Sequence, residues 1–352
     1  MPRASHIPQR PSVWTTGAFP LGLFLLSCLK AGAPSFAPSG GKAGRHGNIE
    51  PKSRLRAAGA GQRAQPEERV APLSPAEGIL CNQLAEYAQA SNWSAVEAAF
   101  SGYSGTARAV FSKVISAAFR CGQYERGIEV YQKFHELGVP KTIYIYAHAI
   151  RLFAKTGNSA LVEKTWAEAL DTKGVGHLLA SSRLYAAAED GDMVTAAAVL
   201  DRMVRAALQP DLRHFAPAVR ACSNADDDSN YKVASYFMDK LGEGRIAPDA
   251  LLFSTLIKSY RRADLEYVTS AYKKMKDFGI QPDRSVAEAY LTTLLQLSPG
   301  MVKDRMDVYL KQVSQDRLLA CREALEDLGE AEVELSSFCR VVKSALGAIL
   351  EE

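Results

Sequence analysis

The chain has 352 residues, 47% hydrophobic and 23% charged, a balance that excludes a wholly disordered chain and a polytopic membrane protein. Its formal net charge of +3 divides unevenly: residues 1–66 hold nine of the 42 Lys/Arg and one of the 39 Asp/Glu, leaving 33 basic and 38 acidic side chains, a net of −5, for 67–352. A mildly acidic body excludes nucleic-acid binding by bulk charge, so any such binding must come from cations gathered on one face.

In chain order, the first element is the apolar run Leu21 to Leu29, preceded by basic residues and followed by Ala31-Gly32-Ala33. Charged, apolar and small-residue regions in that order describe a secretory signal, and the run is too short to span a bilayer comfortably. Residues 34–66, rich in Gly, Ala, Pro, Ser and Arg and nearly free of acids, have the composition of an organellar transit peptide. The junction Ala33-Pro34-Ser35-Phe36-Ala37-Pro38 resembles the phenylalanine motif of bipartite leaders in algae with complex plastids. Residues 1–71 are therefore expected to be a disordered, cleaved leader directing the protein to a plastid, with a mitochondrial presequence as the alternative. No membrane association is expected once it is removed.

Proline punctuation at Pro72 and Pro75 then gives way to helical periodicity. Leu84, Tyr87, Trp93, Val96 and Phe100 outline a degenerate helix pair, an amino-terminal cap within 72–107. Phe111, Val114, Ile115, Ala118 and Phe119 follow one face of a helix that Gly122 should end in a left-handed cap. A second face follows at Tyr124, Ile128, Tyr131 and Phe134, and the scheme recurs with Leu184, Tyr185 and Ala188, then Gly191, then Met193, Ala196, Leu200 and Met203. Gly122, Gly157 and Gly191 are spaced by 35 and 34 residues, and three segments close alike: Leu208-Gln209-Pro210-Asp211, Ile246-Ala247-Pro248-Asp249 and Ile280-Gln281-Pro282-Asp283. A period near 35 with two short amphipathic helices per unit predicts an all-α solenoid of αα-hairpins, since one hairpin cannot bury its own faces.

These units resemble the pentatricopeptide repeat (PPR) family, whose repeats run near 35 residues and commonly close on Pro-Asp. The resemblance covers five units, 108–142, 143–176, 177–211, 212–249 and 250–283, with an insertion at Asp226-Asp227-Asp228-Ser229-Asn230 and out-of-register capping helices over 284–352. It implies a right-handed superhelix that reads single-stranded RNA one base per unit. The fifth and last residues of each unit would form the reading pair. The pairs are Ser112 with Thr142, Ala147 with Gly176, Ser181 with Asp211, Ala216 with Asp249, and Ser254 with Asp283. In the family a hydroxyl with a terminal Asp favours guanine, which makes Ser181/Asp211 and Ser254/Asp283 the readable pairs. The second place, which packs on the base, holds Ala109, Tyr144, Leu178, Arg213 and Leu251, of which Tyr144, Leu178 and Leu251 are the packing candidates. At the thirteenth place Arg120, Lys155 and Arg262 would meet phosphates, while Glu189 and Asn224 would not. The competing reading of Ser181, Ser254 and the terminal aspartates is helix capping.

No phosphate loop, His-Glu-x-x-His or nucleophile elbow is present, so no catalytic residue, cofactor or metal is expected. His135, His148, His177 and His214 are read as isolated, the acidic run 226–228 as solvent-facing, and the scattered cysteines as buried small hydrophobes. The functional expectation is an organellar RNA-binding protein acting in stabilisation, processing or translation of a transcript alongside other RNA-processing proteins. The alternative is a protein-interaction scaffold, which the alanine-rich faces Ala186-Ala187-Ala188 and Ala196-Ala197-Ala198 would serve.

Overall fold

The computed structural model describes residues 72–297 and 306–350, so the leader assigned to 1–71 lies outside the described residues. Among the described residues there are sixteen α-helices and no strand. The first eight are α1 (Pro75–Gln89), α2 (Trp93–Ser101), α3 (Arg108–Arg120), α4 (Tyr124–Glu136), α5 (Ile143–Lys155), α6 (Ser159–Lys173), α7 (His177–Asp190) and α8 (Met193–Arg205). There follow α9 (Leu212–Asn224), α10 (Asn230–Glu243), α11 (Ala250–Ser259), α12 (Leu265–Asp277), α13 (Arg284–Leu294), α14 (Met306–Leu310), α15 (Gln315–Glu330) and α16 (Ser337–Leu350).

Local chemistry sets where these helices begin and end. Ser74 opens α1 with a capping box to Glu77, and Pro75 occupies the first turn, where no backbone donor is needed. Thr142, Asp211, Asp249 and Asp283 cap α5, α9, α11 and α13 by accepting from backbone N–H groups of the first turn. Gly122, Gly157 and Gly191 all take positive φ, as the helix-ending pattern requires. At Gly191 the glycine is doubly needed: a Cβ there would sit 2.9 Å from the Asn224 carbonyl oxygen, where α9 ends against α7. Asn224 seals that junction by donating from Nδ2 to the Ala188 carbonyl at 2.7 Å.

The odd-numbered helices α1, α3, α5, α7, α9, α11 and α13 pack on one another in succession, and each even-numbered helix from α2 to α12 packs against the odd helix before it. Two layers result, with the apolar stripes between them. A small core of Cys81, Leu84, Ala88, Val96, Val110, Val114 and Ala117 joins the first hairpin to α3. A continuous core then runs from Phe111 to Leu346. Phe111, Phe134, Phe237 and Phe253 are fully buried in the stack, each stabilising it by about 1.5–3 kcal/mol. Ala186, Ala187 and Ala188 are completely buried, as are Ala196 and Ala197; small side chains there let helices approach closely.

The row of odd helices does not stop at Asp283. Helix α13 starts 34 residues after α11, packs on it, and so continues the register that residues 284–352 were expected to lose. The lock beyond it is polar as well as apolar. Arg317 on α15 donates to the carbonyls of Leu294 at 2.9 Å and Ala263 at 3.0 Å, and Tyr309 on α14 donates to Leu295 at 2.7 Å. Tyr272 stacks on Tyr290 at 4.2 Å and donates to Asp327 at 2.6 Å, tying α12, α13 and α15 together.

Candidate nucleic-acid interface

Positions two, five, nine and thirteen of a helix that starts at position one differ by three, four and four residues, so they share one face. On α5, α7, α9 and α11 this face grades from an exposed second place to a half-buried or buried fifth place. Its outer edge is a ledge of apolar and basic side chains: Tyr144 is 59% exposed, Leu178 38% and Leu251 66%, while the Arg213 side chain is 78% exposed. Large apolar groups standing in water at the same place of successive helices have no packing reason within the chain. All three base-packing candidates are on this ledge.

The fifth-place residues lie one turn deeper. Ser112 and Ser181 are half-buried, and Ala147 is buried. Ser181 and Ser254 are the fifth residues of α7 and α11, whose N-caps are Gly176 and Asp249; capping is therefore not their role. Ser254 differs from Ser181 in being closed off: it is 1% exposed, and its hydroxyl lies 3.0 Å from Ser285 Oγ on α13. The stacking of α13 against α11 is the cause, so the hydroxyl counted as readable is engaged within the fold.

The unit-ending residues do act as caps. Asp249 and Asp283 are exposed and use Oδ1 on the N–H groups of Leu252 and Val286, both at 2.8 Å. Asp211 is more heavily engaged: Oδ1 accepts from Arg213 N at 2.9 Å, and Oδ2 accepts from Arg213 Nε at 3.0 Å and Nη2 at 2.6 Å. Burial raises the Asp211 carboxyl, but the Arg213 hydrogen bonds and the nearby His214 outweigh it and hold the group below its ordinary value. Thr142 caps Ile145 at 3.3 Å, and Gly176 makes no side-chain cap. The rings of His177 and His214, expected to stand apart, lie 5.2 Å from each other, and buried His214 Nε2 is 3.3 Å from the His177 carbonyl.

Of the thirteenth-place cations, Arg120 is exposed at the end of α3. Lys155 instead donates to Glu189 on α7 at 2.8 Å, and that hydrogen bond raises its pKa. Arg262 bridges Asp228 at 3.1 Å and Asp226 at 2.5 Å, so the acidic run, though facing solvent, is not idle. Two of the three phosphate candidates thus carry an internal anion.

The sequence reading missed the ninth place. There Arg151 on α5, Tyr185 on α7 and Arg220 on α9 meet across three helices: the Arg151 guanidinium is 4.6 Å from the Tyr185 ring centroid and 4.9 Å from that of Phe119, and the Arg220 guanidinium is 5.1 Å from Tyr185. Their spacing of 34 and 35 residues repeats the glycine beat and could have revealed them. Also unanticipated is a cleft of about 780 Å³ further along this face, lined by Lys258 of α11, by Arg261 in the turn after it, and by Arg284, Ser285, Glu288 and Thr292 of α13. Among the described residues no group of His, Cys, Asp or Glu could hold a metal ion, and no helix is long and apolar enough to cross a membrane.

No family model matches the sequence, and no curated protein matches it. Among solved structures the chain is similar to the pentatricopeptide repeat protein PPR10 from maize, at 15% identity and a TM-score of 0.39, over 78% of this chain and 49% of that one. It is likewise similar to PPR10 in complex with an 18-nt psaJ RNA element, at 16% identity and a TM-score of 0.34, over 76% and 43% of the two chains. The chain spans less than half the length of those proteins.

Proposed function

We propose that this protein binds single-stranded RNA along the open face of its odd-helix row, as a protein of the pentatricopeptide repeat type. The observation that carries the reading is the ledge of Tyr144, Leu178, Arg213 and Leu251, which offers one exposed packing or cationic side chain per helix next to the half-buried fifth-place residues. Base stacking on such a platform contributes about 1–3 kcal/mol per base. Selectivity is concentrated at Ser181, which remains half-buried rather than covered, with Asp249 and Asp283 presenting the carboxylates least engaged by neighbouring cations.

The role that follows is non-catalytic: marking, protecting or delivering a transcript for stabilisation, processing or translation. The leader assigned to residues 1–71 would direct this work to a plastid, which a fluorescent fusion of those residues tests directly. The scaffold alternative loses one of its supports, because five of the six alanines in the faces that would serve it are buried between helices.

The test is fluorescence anisotropy with short RNAs read amino terminus to 5′ end, one containing guanine, any base, guanine, and one with both guanines replaced. The guanine RNA should bind several-fold more tightly, chiefly through the position facing Ser181, and Ser181→Asn should shift preference there from guanine to uracil. Equal affinity for the two RNAs would remove the coding claim, and absence of binding to either would remove the function.

A further inference from the structure

The middle of the open face carries more positive charge than its neighbours neutralise. Arg151, Lys155 and Arg220 converge there against one carboxylate, Glu189, which accepts from both Lys155 and Arg220. Three cations and one anion leave a net of two positive charges. Arg151 has no ion pair among the described residues, and Nε of Arg151 and Nε of Arg220 are both buried with no hydrogen-bond partner. Leaving such a donor unmade is unfavourable. The two guanidiniums share the Tyr185 ring, which fixes them although their charges repel.

Burial is the main cause of two pKa shifts here, and the clustered charges add to each. Burial lowers the pKa of Arg151, and Arg220 lowers it further against the pull of Tyr185. His148, next to Arg151 on α5, is pushed down to about 4 by burial, then by Arg151 and Lys113. A cluster of net positive charge thus sits on the face proposed to hold RNA.

We infer that Arg151 and Arg220, positioned on Tyr185, form a phosphodiester-binding site at the centre of the face. The inference rests on the RNA-binding reading and deepens it. Arg151 and Arg220 belong to the units whose fifth residues, Ala147 and Ala216, have no group to read a base. The geometry thus divides the labour: these units grip the backbone irrespective of sequence, while Tyr185 stands in the unit that carries Ser181. A phosphodiester is singly charged, and the guanidinium fork suits its oxygens.

The experiment measures binding of a fluorescent single-stranded RNA of about 12 nucleotides to the protein from 50 to 300 mM salt. For single strands the slope of log affinity against log salt is about −0.7 per phosphate neutralised. The variant R151Q/R220Q should therefore lower the slope by about 1.4 and weaken binding about tenfold or more at moderate salt. The loss should be the same for guanine-containing and guanine-free RNA, as a backbone contact requires. Tyr185→Leu removes the ring that holds both guanidiniums and should weaken binding without removing a charge. If the double variant fails to melt cooperatively, R220Q alone, at a more exposed side chain, should lower the slope by about 0.7.

Wild-type affinity and slope in these variants would overturn the site while leaving RNA binding in place. No RNA binding by the wild type would instead overturn the reading beneath it. Tighter binding of polyglutamate than of oligouridylate of equal charge would overturn it in favour of an acidic protein partner.

Discussion

Each unit-ending aspartate serves a helix before it can serve a ligand. Asp249 and Asp283 use one carboxylate oxygen on a backbone N–H, and Asp211 uses both on the backbone and side chain of Arg213. Capping and reading are therefore compatible at Asp249 and Asp283 but compete at Asp211. At residue scale the clearest test is His148. Its pKa is pushed down to about 4 by burial, Arg151 and Lys113, whereas in the unfolded chain it lies near its ordinary 6.5. A depressed folded value means that the neutral ring is favoured in the native state. Its contribution is complete above pH 6.5 and is lost as pH falls toward 4, because the unfolded state takes up the proton first. Between pH 6.5 and 5 the loss should reach about 1.5 kcal/mol, and His148→Gln should flatten that part of the profile when denaturant midpoints are compared. The resemblance to the repeat family points to Tyr144, Leu178 and Leu251, and all three side chains stand exposed. It could not show that Ser254 is covered, because that depends on Ser285 of a helix whose place in the row was not foreseen.

At the scale of the element, helix ends were easier to foresee than helix partners. Glycine at a fixed beat implies a left-handed ending, and Gly122, Gly157 and Gly191 all adopt it. The end of α8 meets the same need with the wrong residue: Ala207 takes φ +56°, with Leu208 N donating to the Met203 carbonyl at 2.9 Å in the usual closing bond. A left-handed conformation costs a residue with a Cβ about 1–2 kcal/mol, partly offset by the greater flexibility of glycine when unfolded. Ala207→Gly should thus stabilise the protein by about 0.5–1 kcal/mol, seen as a higher denaturant midpoint at unchanged slope. A lower midpoint would show that Ala207 makes a contact worth more than the strain it carries.

At the scale of the whole molecule, stability is distributed along a row in which each odd helix depends on its two neighbours. Helix α7 is central: it packs on both α5 and α9, and Ala186, Ala187 and Ala188 leave no room for larger side chains. Ala187→Leu should cost about 1–3 kcal/mol by overpacking. Because nearest-neighbour interfaces carry such folds, the loss should separate one melting transition into two as the halves uncouple. A single transition at lower temperature would mean that the long core couples more strongly than a chain of neighbours. The continuation through α13 escaped the sequence reading for a related reason. Units were recognised by a helix pair closing on Pro-Asp, and after Leu294 the chain never closes that way again.

The insertion at Asp226–Asn230 shows where such a chain can change length. The extra residues fall between α9 and the first residue of α10, Asn230, and α9 is already pinned to α7 by Asn224 before they begin. Asp227 folds them by accepting from Ser229 N at 2.6 Å, and Asp226 and Asp228 return to Arg262 in the turn that follows the next odd helix. One residue added inside α9 would instead rotate everything beyond it by about 100° and turn its open face inward. Length is a free variable at the turns and a forbidden one within the row, so a lineage can lengthen or shorten its hairpins while the surface keeps its phase.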